Sequence, residues 1–147
     1  MAGMNGAMNV DELVESFALL GPWEERYRYL IELGRKLPPL PEAERTEANK
    51  VRGCMSQVWL SAQATAGPSP RLELRGDSDA HIVKGLIALL FKLYAGRTPR
   101  EMLALDVESV FERLGLESHI TMNRRNGFYA MVERIRALAK NAAATPA

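Results

Sequence analysis

Gln57-Val-Trp-Leu-Ser-Ala-Gln-Ala64 and Arg71-Leu-Glu-Leu-Arg75, separated by Gly67-Pro-Ser-Pro70, decide how this chain is read. Val58, Leu60, Ala62 and Ala64 alternate with Gln57, Trp59, Ser61 and Gln63, a period of two that puts one face of a strand in a core and the other outside it. The Gly-Pro-Ser-Pro cluster is turn chemistry and Arg71 to Arg75 alternates again, so the two runs predict an antiparallel hairpin. Residues 49–52 predict a third, short strand. Gly53-Cys54-Met55 would then sit at the bend between two strands, where glycine tolerates backbone angles that other residues resist.

Outside this region the period lengthens. Val10, Leu13, Val14 and Phe17 recur at helical spacing behind Asn9 and Glu12, which read as a capping pair, and Gly21-Pro22 ends that helix. A second helix is expected from Pro22, with Trp23, Tyr27, Leu30 and Ile31 on one face, until Gly34 and then Pro38, Pro39 and Pro41 stop it. Asp77, Ser78 and Asp79 are three candidate N-caps for the apolar run over residues 82–94. Thr98-Pro99-Arg100-Glu101 is a capping box with proline at the first helical position, and Asp106 caps a further short helix that ends at Gly115. Residues 119–127 read as a loop before a last amphipathic helix carrying Phe128, Met131, Val132, Ile135 and Leu138. Helices, a small three-stranded antiparallel sheet and further helices packed on it make an α+β domain over residues 9–140, with residues 1–8 and 141–147 expected as flexible tails.

Composition bounds the function. The 147 residues suit one domain, and 47% hydrophobic with 25% charged residues is ordinary for a soluble globular chain. Nineteen basic residues nearly balance eighteen acidic ones, so a net charge of +1 supplies no field for nucleic acid or acidic lipid. The start of the chain has no basic stretch followed by an apolar run, and the apolar run at residues 85–91 is too short to span a bilayer. With one cysteine there is no intramolecular disulfide and no cysteine-held zinc or iron–sulfur site, and a reducing cytoplasm is the expected compartment.

Cys54 is therefore the residue to weigh. A lone cysteine is often a small, inert apolar residue, but one that follows glycine in a bend, with Lys50 and Arg52 nearby, is placed to be a reactive thiolate. Nothing in the spacing brings His81 or His119 to it as a catalytic base. Asp77 and Asp79 read as caps. Arg124-Arg125 reads either as solvated charge or as a site for a partner's carboxylate.

The stretch Val51-Arg-Gly-Cys-Met-Ser-Gln-Val-Trp-Leu60 resembles the Gly-Cys-Gln-Ser-Gln-Val-Trp signature of the SufE family, the sulfur acceptors that serve cysteine desulfurases in iron–sulfur cluster assembly. Arg75-Gly-Asp-Ser-Asp-Ala-His81 is similar to that family's Gly-Asp-Ser-Asp helix start, and Thr121-Met-Asn-Arg-Arg-Asn-Gly127 to its Thr-Pro-Ser-Arg-Ser-X-Gly loop. Trp23-Glu-Glu-Arg-Tyr27 and Ile31-Glu-Leu-Gly34 also match, so the similarity runs in order over residues 13–139. Met55, Met122 and Asn123 depart from the pattern.

The resemblance implies that Cys54 accepts sulfur from a desulfurase persulfide, stimulates that enzyme with little turnover of its own, and passes the sulfur to an iron–sulfur scaffold or another acceptor. It implies a SufS- or CsdA-like partner that carries pyridoxal phosphate, no cofactor or metal in this chain, no nucleic acid and no membrane. Asp79 and Arg124 are its candidates for partner docking or loop control, and the cysteine loop is expected to be sheltered before docking. A CsdE-like relay to a different acceptor, a one-cysteine thiol peroxidase and a non-catalytic adaptor with a structural Cys54 are the alternative readings.

Overall fold

A computed structural model describes residues 10–53, 56–65 and 71–144. The expected caps at Asn9, the hairpin turn at residues 67–70, and Cys54 with Met55 lie outside the described residues. In chain order the elements are α1 (Val10–Leu19), α2 (Trp23–Arg35), a 3₁₀ turn (Glu42–Glu44), β1 (Val58–Ala64), β2 (Leu72–Ser78), α3 (His81–Tyr94), α4 (Pro99–Ala104), α5 (Val107–Arg113) and α6 (Met122–Ala144). The architecture is α+β, as the patterning predicts.

Helix α3 is the centre of the core because its sequence is apolar nearly all round. Leu86, Ile87, Leu89, Leu90 and Leu93 are buried, and each such side chain contributes roughly 1.5–3 kcal/mol relative to an exposed one. Helix α2 crosses it at contact distance through paired glycines. A Cβ on Gly34 would come within 2.7 Å of the Gly85 nitrogen, and one on Gly85 within 2.3 Å of the Leu30 carbonyl oxygen. Behind α3, Phe111 of α5 stacks on Phe128 of α6 with ring centroids 4.3 Å apart.

The two runs pair antiparallel as expected, β1 with β2 and Leu60 opposite Gly76, but the alternating face is buried only in its first half, Ala62 being partly covered and Ala64 exposed where the strand runs out beyond the core. Val58 and Leu60 face the core, while Trp59 on the other face lies under the Arg45 guanidinium, 5.0 Å from its ring centroid. The sheet has two strands among the described residues, not three. Residues 49–51 lie along β1 without becoming a strand: Leu60 N–H donates to the Asn49 carbonyl and Val51 N–H to the Val58 carbonyl, both at 2.8 Å, with Lys50 opposite Trp59. The turn just before, in which Asn49 N–H donates to the Thr46 carbonyl, leaves too little extended chain for more.

Other boundaries also move. Pro22 is the N-cap of α2 rather than its first residue. None of Asp77, Ser78 and Asp79 is the N-cap of α3, which is Ala80: the Asp77 and Asp79 carboxylates accept the Ser78 and Gln57 N–H groups, and the Ser78 hydroxyl accepts the Ala80 N–H just ahead of the helix. Thr98 with Glu101 and Asp106 with Ser109 do make the expected caps. Helix α6 starts at Met122, inside the segment expected as loop: Thr121 acts as its cap, accepting the Arg124 N–H at its hydroxyl and the Arg125 N–H at its carbonyl. At its other end α6 continues to Ala144, beyond the boundary expected at residue 140.

Candidate functional site

The two chain segments that lead to and from Cys54 are both tied to the fold. On the entering side, the ladder bonds to β1 hold residues 49–51. Gly53 follows with φ +87°, the left-handed region that favours glycine, and a Cβ there would lie 3.6 Å from Ala130 on α6. On the leaving side, Gln57 N–H donates to the Asp79 Oδ1 at 3.0 Å and Asp79 N–H returns a bond to the Gln57 carbonyl at 3.3 Å. Asp79, which its local sequence offered as a cap and the resemblance as a candidate for partner docking or loop control, thus bonds the chain that leaves the cysteine. Its carboxylate and backbone hold the chain three residues beyond the cysteine.

Between the loop and the helices is a cleft of about 240 Å³, many times the ~30 Å³ share of a water in the liquid. Val83, Leu86, Phe128 and Met131 make its apolar lining, and Ser56, Thr121, Asn123 and Arg124 add polar groups. The structure therefore brings Arg124 beside the loop that leaves Cys54, and does so because Thr121 starts α6 early enough to put Arg124 in its first turn. Arg125, the next residue, does not line this cleft. No acidic residue occupies the first turn of α6, so both arginines sit at the positive end of the helix dipole, where a cation costs about 0.3–1 kcal/mol. Helix stability does not account for their presence.

Next to Asp79 is a partly buried charge cluster. Asp77 is paired with Arg45, lies 3.5 Å from Lys84 Nζ, and accepts the Ser78 N–H at 2.8 Å. Burial pushes its carboxyl up, but the Arg45 hydrogen bond, the Ser78 N–H and Lys84 together hold it below the usual carboxylate range. Arg45 in turn covers Trp59, which links this cluster to the strand that begins just after Gln57.

Of the cations near Cys54 in sequence, Arg52 is paired with Glu47 at 3.4 Å with both side chains about three-quarters exposed. His119 stacks on Trp23 with centroids 4.5 Å apart. The sequence reading missed Asn49, which donates to the Glu44 carbonyl and accepts the Leu60 N–H, and Arg134, which donates to Asn49 Oδ1 and the Leu60 carbonyl. Neither carries a local signal, since each meets its partners across the fold. Thr121 did carry one, as a capping residue ahead of a helix. Among the described residues no group of three or more histidine, cysteine, aspartate or glutamate side chains is placed to hold a metal, and no helix is long and apolar enough to cross a membrane.

Comparison with known proteins agrees in sequence and in shape. Residues 11–139 match the SufE family, described as an Fe–S metabolism associated domain. A SufE-like protein of Rhizobium meliloti is 44% identical over 133 residues, covering 90% of this chain and 95% of its own length. Another from Rhizobium etli is 46% identical over 137 residues, 92% of this chain and 93% of that one. The solution structure of a hypothetical protein from Thermus thermophilus superposes with a TM-score of 0.74 at 25% identity, over 92% of this chain and 96% of its own. A match spanning both the cysteine loop and the helices that flank it, together with relatives of this identity over nearly the whole length, establishes that the chain belongs to the SufE family.

Proposed function

We propose that this chain accepts sulfur on Cys54 from the persulfide of a cysteine desulfurase, stimulates that enzyme by removing its product, and hands the sulfur on for iron–sulfur cluster assembly. The observation that carries the reading is the family match across residues 11–139, within which the single cysteine follows Gly53 on a loop anchored at both ends.

The chemistry is thiol–persulfide exchange. The Cys54 thiolate attacks the terminal sulfur of the donor cysteine persulfide, the donor sulfur–sulfur bond breaks, and the donor leaves as a thiolate. The transferred sulfur keeps its proton, so Cys54 becomes a persulfide and neither an oxidant nor a reductant is consumed. Pyridoxal phosphate belongs to the SufS- or CsdA-like desulfurase, and this chain contributes only a thiol, its alignment and its surroundings. A reducing cytoplasm suits a protein whose one cysteine must stay free.

The surroundings support the reading. An apolar cleft beside the loop suits a persulfide that must be kept from water and oxidants between docking events. Arg124 at its edge offers a planar guanidinium to a carboxylate on the partner.

The test is direct. After incubation with a purified desulfurase and cysteine, mass spectrometry is expected to find one added sulfur on the peptide containing Cys54, and Cys54→Ser is expected to abolish stimulation. Stimulation by a folded Cys54→Ser chain at the wild-type level overturns the assignment.

A further inference from the structure

One side chain ties the segment entering Cys54 to the rest of the fold. Arg134 projects from α6 and its Nη2 donates to Asn49 Oδ1 at 3.4 Å and to the Leu60 carbonyl at 3.3 Å. These partners are the two residues already joined by the Leu60 N–H to Asn49 carbonyl bond of 2.8 Å, so the guanidinium spans the junction where residues 49–51 run against β1. Ala130, one helical turn earlier on the same face of α6, is the residue that Gly53 faces. Helix α6 thus holds the entering segment by hydrogen bonds from Arg134, with Ala130 facing Gly53 one turn earlier.

Packing alone does not explain an arginine here. Its Nε is buried with no hydrogen-bond partner, which costs free energy that a methionine or leucine would not incur. The nearby Arg52 does not substitute for it, being exposed and paired with Glu47.

We propose that Arg134 is a positioning residue for sulfur transfer: it sets where residues 49–51 leave β1 and so the direction in which the chain enters Gly53 and Cys54. Cys54 lies three residues beyond Val51, a reach of at most about 10 Å, so a modest rotation at this junction displaces the thiol by ångströms. Misplacement of a reacting atom by about 1 Å is enough to cost up to 100-fold in rate. The functional half of this inference rests on the sulfur-acceptor reading, while its geometric half does not.

The experiment uses the full chain with Arg134→Met and Arg134→Lys, and three readouts. Hydrogen exchange at the Val51 and Leu60 amides reports the junction, exchange at Leu86 and Leu90 in α3 reports the core, and the stimulated desulfurase rate is resolved into kcat and the KM for this chain. In Arg134→Met the Val51 and Leu60 amides are expected to exchange about tenfold faster with the α3 amides unchanged. The kcat is expected to fall about tenfold with KM nearly constant, because the thiol is misaligned while the docking surface is intact. Arg134→Lys keeps one charged donor and is expected to recover part of both losses. Unchanged exchange at Val51 and Leu60, equal acceleration at all four amides, or a wild-type kcat in Arg134→Met overturns the proposal. If the wild-type chain gives no stimulation at all, the sulfur-acceptor reading fails, and the exchange readout alone then decides whether Arg134 holds the junction.

Discussion

Asp79 and Gln57 hold each other by two hydrogen bonds, one through the Asp79 carboxylate and one through its backbone N–H, and so close the chain leaving Cys54 onto the start of α3. Both residues are exposed, which keeps the pair modest in energy and within reach of a docking partner. Replacing the carboxylate leaves the backbone bond in place and removes the other. Asp79→Ala is expected to lower stability by about 0.5–1.5 kcal/mol in urea titration. The same variant is expected to speed exchange of the Gln57 amide and alkylation of Cys54. An unchanged Gln57 amide would show that the carboxylate does not restrain the loop.

Arg124 lines the cleft and Arg125 does not, so the neighbouring pair is an internal control. Arg124→Ala is expected to weaken binding to the desulfurase by about 1–3 kcal/mol in calorimetric titration, and more than Arg125→Ala does. Arg124→Lys is expected to restore only part of the affinity, since an ammonium lacks the planar fork. Because both arginines oppose the dipole of α6, neither alanine variant is expected to lower the melting temperature. Equal binding by wild type and Arg124→Ala removes Arg124 from the interface.

Asp77 makes stability depend on acid. Its folded carboxyl titrates below the unfolded value near 3.9, so the stabilisation is fully present above about pH 4 and is lost as pH falls through the lower, folded value. Asp77→Asn leaves Arg45 and Lys84 without their buried anion and is expected to cost about 1–3 kcal/mol at pH 7. The gap between the two proteins is expected to narrow in urea titrations below pH 4. A gap that stays constant from pH 7 to the acid limit would mean that the charge of Asp77 is not what stabilises.

The contact of Gly85 with the Leu30 carbonyl leaves no room for a methyl group, and the obstructing atom is backbone. Gly85→Ala is expected to destabilise by about 1–3 kcal/mol through displacement of α2 from α3, despite alanine's better helix propensity. A neutral or stabilising effect would mean that the helices can separate without loss.

Much of the architecture was legible because the periods that encode it are local. The alternation from Val58 to Ala64 returned a strand paired antiparallel with the next, and the Thr98 and Asp106 caps formed where their spacing required. The start of α6 was misread because Gly127 and two arginines look like a loop, whereas the Thr121 cap and packing of Phe128 and Met131 against the core override that weak preference. Asp79 had the composition of a cap, and its actual partner, Gln57, is distant in sequence. In the site itself, Cys54, Asp79 and Arg124 were named from their motifs. Asn49 and Arg134 were not, since a hydrogen bond between residues 85 positions apart leaves no trace in either neighbourhood.

By itself the sequence determined the α+β class, the positions of most helices and the β1–β2 hairpin, and the choice of Cys54 as the only thiol, because hydrophobic period, capping chemistry and residue identity are properties of short stretches of chain. Only the tertiary structure decided that residues 49–51 lie along β1 without forming a strand, that Asp79 anchors the loop instead of capping α3, and that α6 brings Arg124 to the cleft and Arg134 to the Asn49 junction. Those outcomes depend on which polar groups meet once the core has closed around α3. A donor or acceptor takes the partner that packing puts within reach, and that partner is not encoded in its own segment.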